Sequence, residues 1–376
     1  MIISKESAPH LRKKSSVSRM MIDVLIALAP TLIFALIVYP IQGSINLALS
    51  LFIMIGSELV YIGLRNMMPK DRLKHSFKER FSYAYKGKID KNNILTPAIS
   101  AVIYTLIMPP TAPIYAIIIG ALVGIVIGKL VFGGLGSNIF NPAAVGMVFA
   151  KLCFNSQYGD FTTNWFVTAN ADVVARATPL GEIVLDHFNM GSYTLSQLLF
   201  GQIPGALGEV YKLTIIAGLI YLLIRRSIDW RIVVSYLGTF TLLMLVAGLS
   251  LYGVDKGVNP LVFTAYNLLS GGVLFGAVFM LTDPVTSPVN APSRMMYGII
   301  AAILTVFIRL FAAFPEGVGF SILLANMVAV FLDHYEWSSA KYTWKKILAI
   351  CLLVVVPCVI TFVITRYGEL YYHVTY

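Results

Sequence analysis

Few side chains in this sequence can do chemistry, and those that can stand apart from an apolar bulk. Thr178 is the first. It lies in Asp172-Val-Val-Ala-Arg176-Ala-Thr178-Pro179-Leu180. Pro179 biases it toward extended backbone, which can present its hydroxyl to a modifying enzyme. The same residues also read as an ordinary turn, with Thr178 capping a helix that begins at Pro179. Asn138 and Asn141 form a second group, in Gly133-Gly-Leu-Gly136-Ser-Asn138-Ile-Phe-Asn141-Pro142-Ala143. Glycines there allow close backbone approach, and the two amides stand on one side of a helix start. Such a pair suits the polar edge of a ring in an apolar pocket. It equally suits capping around a tight reentrant turn. The stretch is not a dinucleotide fingerprint, because the third glycine is missing and no soluble βαβ unit surrounds it.

A third group consists of acids set in or against apolar runs: Glu58, Asp283 and Asp333. Charge in hydrocarbon is costly, so an acid there faces a cavity, a partner or an ion path. Glu58 is the most deeply placed. Asp283, in Leu281-Thr-Asp-Pro284, could also cap a broken helix, and Asp333 could be interfacial; Arg309 is a candidate partner for one of the three. Gly120, Gly124 and Gly128 recur every four residues and read as a small-residue packing face. Gly124–Lys129 has the look of a P-loop, but its spacing is one short and Leu130 follows the lysine, so nucleotide binding is rejected there. Cys153, Cys351 and Cys358 form no CxxC, and no His pair has zinc spacing, so no metal site is expected. Cys351 and Cys358 share a face of the last helix and read as core packing.

Most of these residues must be carried on membrane helices. Of 376 residues, 58% are hydrophobic and 12% charged, whereas a soluble domain carries about 25% charged residues. Strand-like alternation is absent, so the fold class is an all-α polytopic membrane protein. The candidate spans number eleven: Met21–Val38, Ile45–Leu64, Ile94–Met108, Ile114–Val131, Ile139–Phe154, Val210–Ile224, Ile232–Leu251, Tyr266–Leu281, Met295–Phe314, Val318–Leu332 and Ile347–Thr365. The shorter ones are expected to be tilted, broken or reentrant. The first is read as a retained span rather than a cleaved signal.

Charge sets the orientation. Residues 65–93 carry nine Lys/Arg against three Asp/Glu, and the tail before the first span is basic too. Both are placed in the cytoplasm. Counting spans forward puts residues 155–209, with five acids and the single base Arg176, outside. The net charge of +10 therefore reads as orientation beside a lipid bilayer rather than as nucleic-acid binding. The chain divides into a tail (1–19), a first transmembrane repeat (20–154), an external loop (155–209), a second repeat (210–336) and an extra helix with its tail (337–376). The repeat pairs Leu95-Thr-Pro…Leu106-Ile-Met-Pro109-Pro110 with Leu269-Ser-Gly…Leu281-Thr-Asp283-Pro284. The number of spans between them inverts one half, an architecture that places a site near the bilayer midplane.

The motifs, in order, resemble the RnfD/NqrB family: Val17-Ser-Arg-Met20, Met108-Pro-Pro-Thr-Ala-Pro113, the Gly-Gly-Leu-Gly…Asn-Pro-Ala segment, Ala177-Thr-Pro-Leu180, Leu281-Thr-Asp-Pro-Val-Thr286 and Phe314-Pro-Glu-Gly-Val318…Leu-Leu-Ala-Asn326. The similarity is greatest to RnfD, since the chain lacks room for the longer N-terminal extension of NqrB. The resemblance implies a membrane subunit of the Rnf complex, which couples electron flow between ferredoxin and NAD to sodium or proton movement in the bacterial cytoplasmic (inner) membrane. Such a subunit is part of a translocase and not catalytic alone. The resemblance further implies FMN on Thr178 through a phosphodiester, attached by a flavin transferase; Arg176 departs from the family, standing where a small or polar residue is common, and could pair with the flavin phosphate. It implies noncovalent riboflavin near Asn138 and Asn141, and an ion path through Glu58, Asp283 and Asp333. NAD, ferredoxin and iron–sulfur clusters would belong to the other Rnf subunits. Two further departures from the family pattern stand out: Ala175 where the family has Ser or Thr, and the span after Ile347. From the residues alone, a solute channel or transporter without a redox role is the alternative, since inverted repeats suit that class as well.

Overall fold

Every residue from 101 to 110 and from 272 to 282 is buried. Helical segments buried on all sides are enclosed by other helices, and the rest of the molecule is built around these two. They are the segments that the internal repeat pairs. In the computed structural model, residues 17–66, 77–86, 89–154, 179–180, 193–252, 259–312, 316–334 and 341–367 are described. Among them the regular elements are all helical.

The first half comprises α1 (Val17–Val38), α2 (Pro40–Asn66), α3 (Phe77–Tyr85), α4 (Asn92–Ile107), α5 (Ile114–Ile125) and α6 (Pro142–Cys153). Tyr39 alone separates α1 from α2, where Pro40 offers no N–H to the ladder. The chain leaves α4 at Met108-Pro109-Pro110 and re-enters a helix after Pro113. A π-helical turn, Val126–Leu130, closes α5. The glycine row of α5 lies against α6 as its spacing predicts: a Cβ on Gly124 would fall 2.6 Å from the Pro142 carbonyl, and one on Gly128 2.9 Å from Pro142 Cα. Gly133, Gly134 and Gly136 then take left-handed φ of 111°, 92° and 85° through the turn into α6. Glycine alone adopts such values without strain.

The second half comprises α7 (Leu195–Phe200), α8 (Lys212–Arg225), α9 (Trp230–Tyr252), α10 (Pro260–Leu269), α11 (Val273–Phe275), α12 (Ala291–Phe311) and α13 (Val318–Leu332). A second π-helical turn, Gly276–Met280, extends α11. The axis bends by 62° between α10 and the α11 segment. Gly271, at φ 60°, makes that break, and Arg309 from α12 secures it by donating to the carbonyls of Asn267 (2.6 Å) and Ser270 (3.3 Å). Its guanidinium therefore serves the break, not the pairing with Glu58, Asp283 or Asp333 considered from the sequence.

Each of the eleven predicted spans corresponds to a helix, with the broken α10–α11 pair counted as one. Five helices are long and apolar enough to cross a membrane, and the bent pair makes six; α4, α5, α6 and α13 are apolar but shorter. Large apolar side chains face outward around the bundle, among them Phe52, Ile224 and Phe331 at 80%, 75% and 72% exposure. That surface suits lipid rather than water, and the chain is a multi-pass membrane protein. α14 (Trp344–Tyr367) lies against α9 and α12 at the edge of the bundle. Its placement corrects one expectation: Cys351 is exposed, not part of the core, while Cys358 is half-buried against it.

Candidate functional site

The short helices and π-turns converge on a crevice. It is lined mainly by apolar side chains of α1, α4 and the Gly276–Met280 turn, with Asn138, Thr96, Lys129, Thr282, Asp283 and Ser227 as polar groups. It holds about 760 Å³ of empty space, open mouth included, of which about 70 Å³ is wide enough for the centre of a water molecule. An apolar slot with a few convergent polar groups is the usual form of a small-molecule site.

The two asparagines expected at a ligand both line this crevice, and their roles differ. Asn141 is the N-cap of α6, accepting from the N–H groups of Ala143 (3.0 Å) and Ala144 (3.4 Å) through Oδ1. Its Nδ2 donates to the Met280 carbonyl at 3.4 Å, next to the π-turn. Its backbone N–H donates to Asn326 Oδ1 at 3.0 Å once the Asn326 amide is oriented to satisfy its neighbours. That amide then donates to Tyr297 Oη at 2.7 Å. Asn141 thus ties α6, the second π-turn and α13 together. Asn138 makes one local bond, Nδ2 to the Phe140 carbonyl at 3.2 Å, and is the amide better placed to meet a ligand.

Glu58 of α2 is buried, as expected, but it does not stand alone. Lys129 Nζ lies 2.9 Å from Glu58 Oε2, with both side chains 3% exposed. The same Nζ donates to Thr96 Oγ1 at 2.8 Å. Asp283 lines the crevice beside Lys129. Its carboxylate accepts from the Val285 N–H (3.2 Å) and the Thr286 hydroxyl (3.4 Å), closing the turn after the second π-helix. Glu58, Lys129, Thr96 and Asp283 are therefore one neighbourhood. Asp333 is not part of it: as C-cap of α13 it accepts the Val289 N–H at 3.0 Å and holds the loop before α12. Lys129 is the member of this neighbourhood that sequence reasoning misses. A lysine within an apolar run is the signal that could mark it, but in the sequence it stands out only as part of a failed P-loop.

A second group of charges lies at the opposite end of α8 from Arg225. Lys212 is fully buried, and its Nζ donates to the carbonyls of Glu209 and Gly271. Lys151 of α6 meets Glu316 at 3.6 Å. Pro179 closes this group: it borders the same small cavity as Glu209, Lys212 and Glu316, and its carbonyl accepts from Tyr266 Oη at 3.5 Å. Leu180 is buried against Gly271. Pro179 and Leu180 are helical. Thr178, Arg176 and Ala175 lie outside the described residues. The sites therefore separate into a described crevice and an anchor for the segment that follows Thr178.

The family model for "NQR2, RnfD, RnfE family" matches residues 4–342. The chain is 30% identical over 341 residues to the D subunit of the proton-translocating ferredoxin:NAD(+) oxidoreductase complex of Clostridium ljungdahlii, covering 89% of this chain and 94% of that one. It is 29% identical to the D subunit of the Na(+)-translocating ferredoxin:NAD(+) oxidoreductase complex of Acetobacterium woodii, covering 89% and 93%. Identity is higher, 35%, to the B subunit of the Na(+)-translocating NADH-quinone reductase of Chromohalobacter salexigens, but over 63% of this chain and only 57% of that protein.

Proposed function

This chain belongs to the NQR2, RnfD, RnfE family, and from that premise we propose that it is the flavin-carrying, RnfD-type membrane component of an ion-translocating ferredoxin:NAD oxidoreductase complex. The observation that supports this reading most is the crevice: an apolar slot with Asn138 at its edge, beside a buried ion pair. Near full-length agreement with the ferredoxin:NAD(+) oxidoreductase relatives, against partial agreement with the NADH-quinone reductase relative, favours the Rnf type. Its partners are the other subunits of the complex, which hold the sites for NAD, ferredoxin and iron–sulfur clusters, and a flavin transferase during maturation.

Two flavins belong to this reading. FMN is carried on Thr178 by a phosphodiester, with Arg176 near the phosphate. Riboflavin is held in the crevice, and the residues there fit it in kind. Met20, Met21, Val24 and Ile103 supply apolar cover, and Asn138 and Thr282 supply hydrogen bonds to a polar ring edge. The narrow width requires those walls to part around a ring. A bound flavin supplies reversible electron transfer. The protein orients it, keeps water out, and sets the charge around it through Lys129, Glu58 and Asp283. The N-terminus faces the cytoplasm and the 155–209 loop faces outward, following the distribution of basic residues. The coupling ion is sodium or a proton.

The test is flavin content. The chain is co-expressed with the matching flavin transferase, purified in detergent and acid-precipitated, which separates released from covalent flavin. The native chain is expected to yield both fractions, and Asn138→Ala to lose most of the released fraction while keeping the covalent one. A colourless native chain that moves a solute unaided would instead support a channel or transporter.

A further inference from the structure

Lys129 occupies the position that a free cation would need. Its ammonium is 2.9 Å from Glu58 Oε2 and 2.8 Å from Thr96 Oγ1. The Thr96 hydroxyl spends its own proton on the Asn92 carbonyl, at 2.8 Å, so its lone pairs are turned to the ammonium. Asp283 adds a second carboxylate at the same crevice. Oxygen donors gathered on one positive charge are the environment that hard cations take, and at 3% exposure water does not compete for Glu58. A buried carboxylate needs a cation partner, and here that partner is covalently tethered. The tether is the π-helical turn Val126–Leu130, and π-turns are irregularities often found at functional sites.

We propose that Lys129 is a built-in cation that holds the Glu58–Thr96 position closed to free monovalent cations, and that sodium loads there only when the ammonium is withdrawn. Glu58 is thus not an open ion site in this conformation. The Glu58–Thr96 position is locked from within, and movement of the Lys129 turn is what unlocks it. The inference rests on the ion-translocating reading for its purpose, but its test requires no electron transfer. Loss of the inference would leave the flavin reading standing, and loss of flavin would leave the cation result standing.

Radioactive sodium binding is measured on the full-length chain in detergent, with potassium as competitor at constant ionic strength. Lys129→Ala and Lys129→Gln are each expected to bind about one more sodium per chain than the native protein, and adding Glu58→Gln is expected to remove that gain. Lys129→Gln keeps a polar group for Thr96 and serves if the alanine variant does not fold; monodispersity on size exclusion selects the variants used. Equal sodium binding by native and Lys129-substituted chains would overturn the proposal, as would a gain that survives Glu58→Gln.

Discussion

Glu58 and Lys129 come from different helices, and nothing in linear spacing joins them. The sequence shows a lone acid in an apolar run and so a need for a partner; the partner emerges only when α2 is packed on α5. Asn138 and Asn141 are legible as a pair but not in their division of labour, because capping and ligand binding ask for the same side chain. Asp23 carries no motif that would single it out, although it is buried and accepts from Arg225 (3.0 Å) and Ser227 (2.7 Å). Asp229 illustrates the same local logic outside the spans, in the turn between α8 and α9. Burial raises its carboxyl, but the Arg231 N–H and the Arg294 and Arg231 guanidiniums outweigh this and hold it below the ordinary 3.8. A folded value below the unfolded one means the contribution is complete above pH 3.8 and fades as the pH falls through the folded value. Solvent screening keeps each such pair to about 0.2–1 kcal/mol. Asp229→Asn is thus expected to lower thermal stability slightly at pH 7, with the difference from the native chain vanishing on acidification.

At the scale of elements, the helices and the glycine row are readable because both are patterns of side-chain type. The Gly120–Gly124–Gly128 spacing predicts a close helix contact, and α6 is the surface it meets. Gly124→Val places a branched side chain against the Pro142 carbonyl, with no flexible neighbour to yield. It is expected to cost about 1–3 kcal/mol and to widen the α5–α6 contact beside the crevice. Thermal unfolding in detergent measures the first effect, and loss of released flavin reports the second. The π-turns are not legible in the sequence. They are shifts in backbone hydrogen-bond register, which side-chain periodicity does not record. The break that the sequence points to, near Leu281-Thr-Asp-Pro284, is where the second π-turn ends; the further bend at Ser270–Gly272 is not legible, since proline marks helix ends more visibly than glycine. Arg309 accounts for that second bend by supplying donors to the carbonyls that it exposes.

At the scale of the whole molecule, hydropathy yields the apolar helices, of which five, or six with the bent pair, are long enough to cross a membrane, and basic residues supply a direction that the helix arrangement alone does not. Single-cysteine labelling tests that direction in a variant from which Cys153, Cys351 and Cys358 have been removed. A cysteine at Ser196, exposed on α7, is expected to react with a membrane-impermeant maleimide on intact cells; one at Asp90, exposed before α4, is expected to react only after lysis. The reverse pattern would place Thr178 in the cytoplasm. The central claim is that this membrane chain carries electrons on a covalent flavin. It is tested most directly by in-gel flavin fluorescence of the denatured chain, native and Thr178→Ala, made with an active flavin transferase. A fluorescent native band that goes dark in Thr178→Ala is the expected result. A native band that is dark under those conditions, or a variant band as bright as the native one, would contradict it.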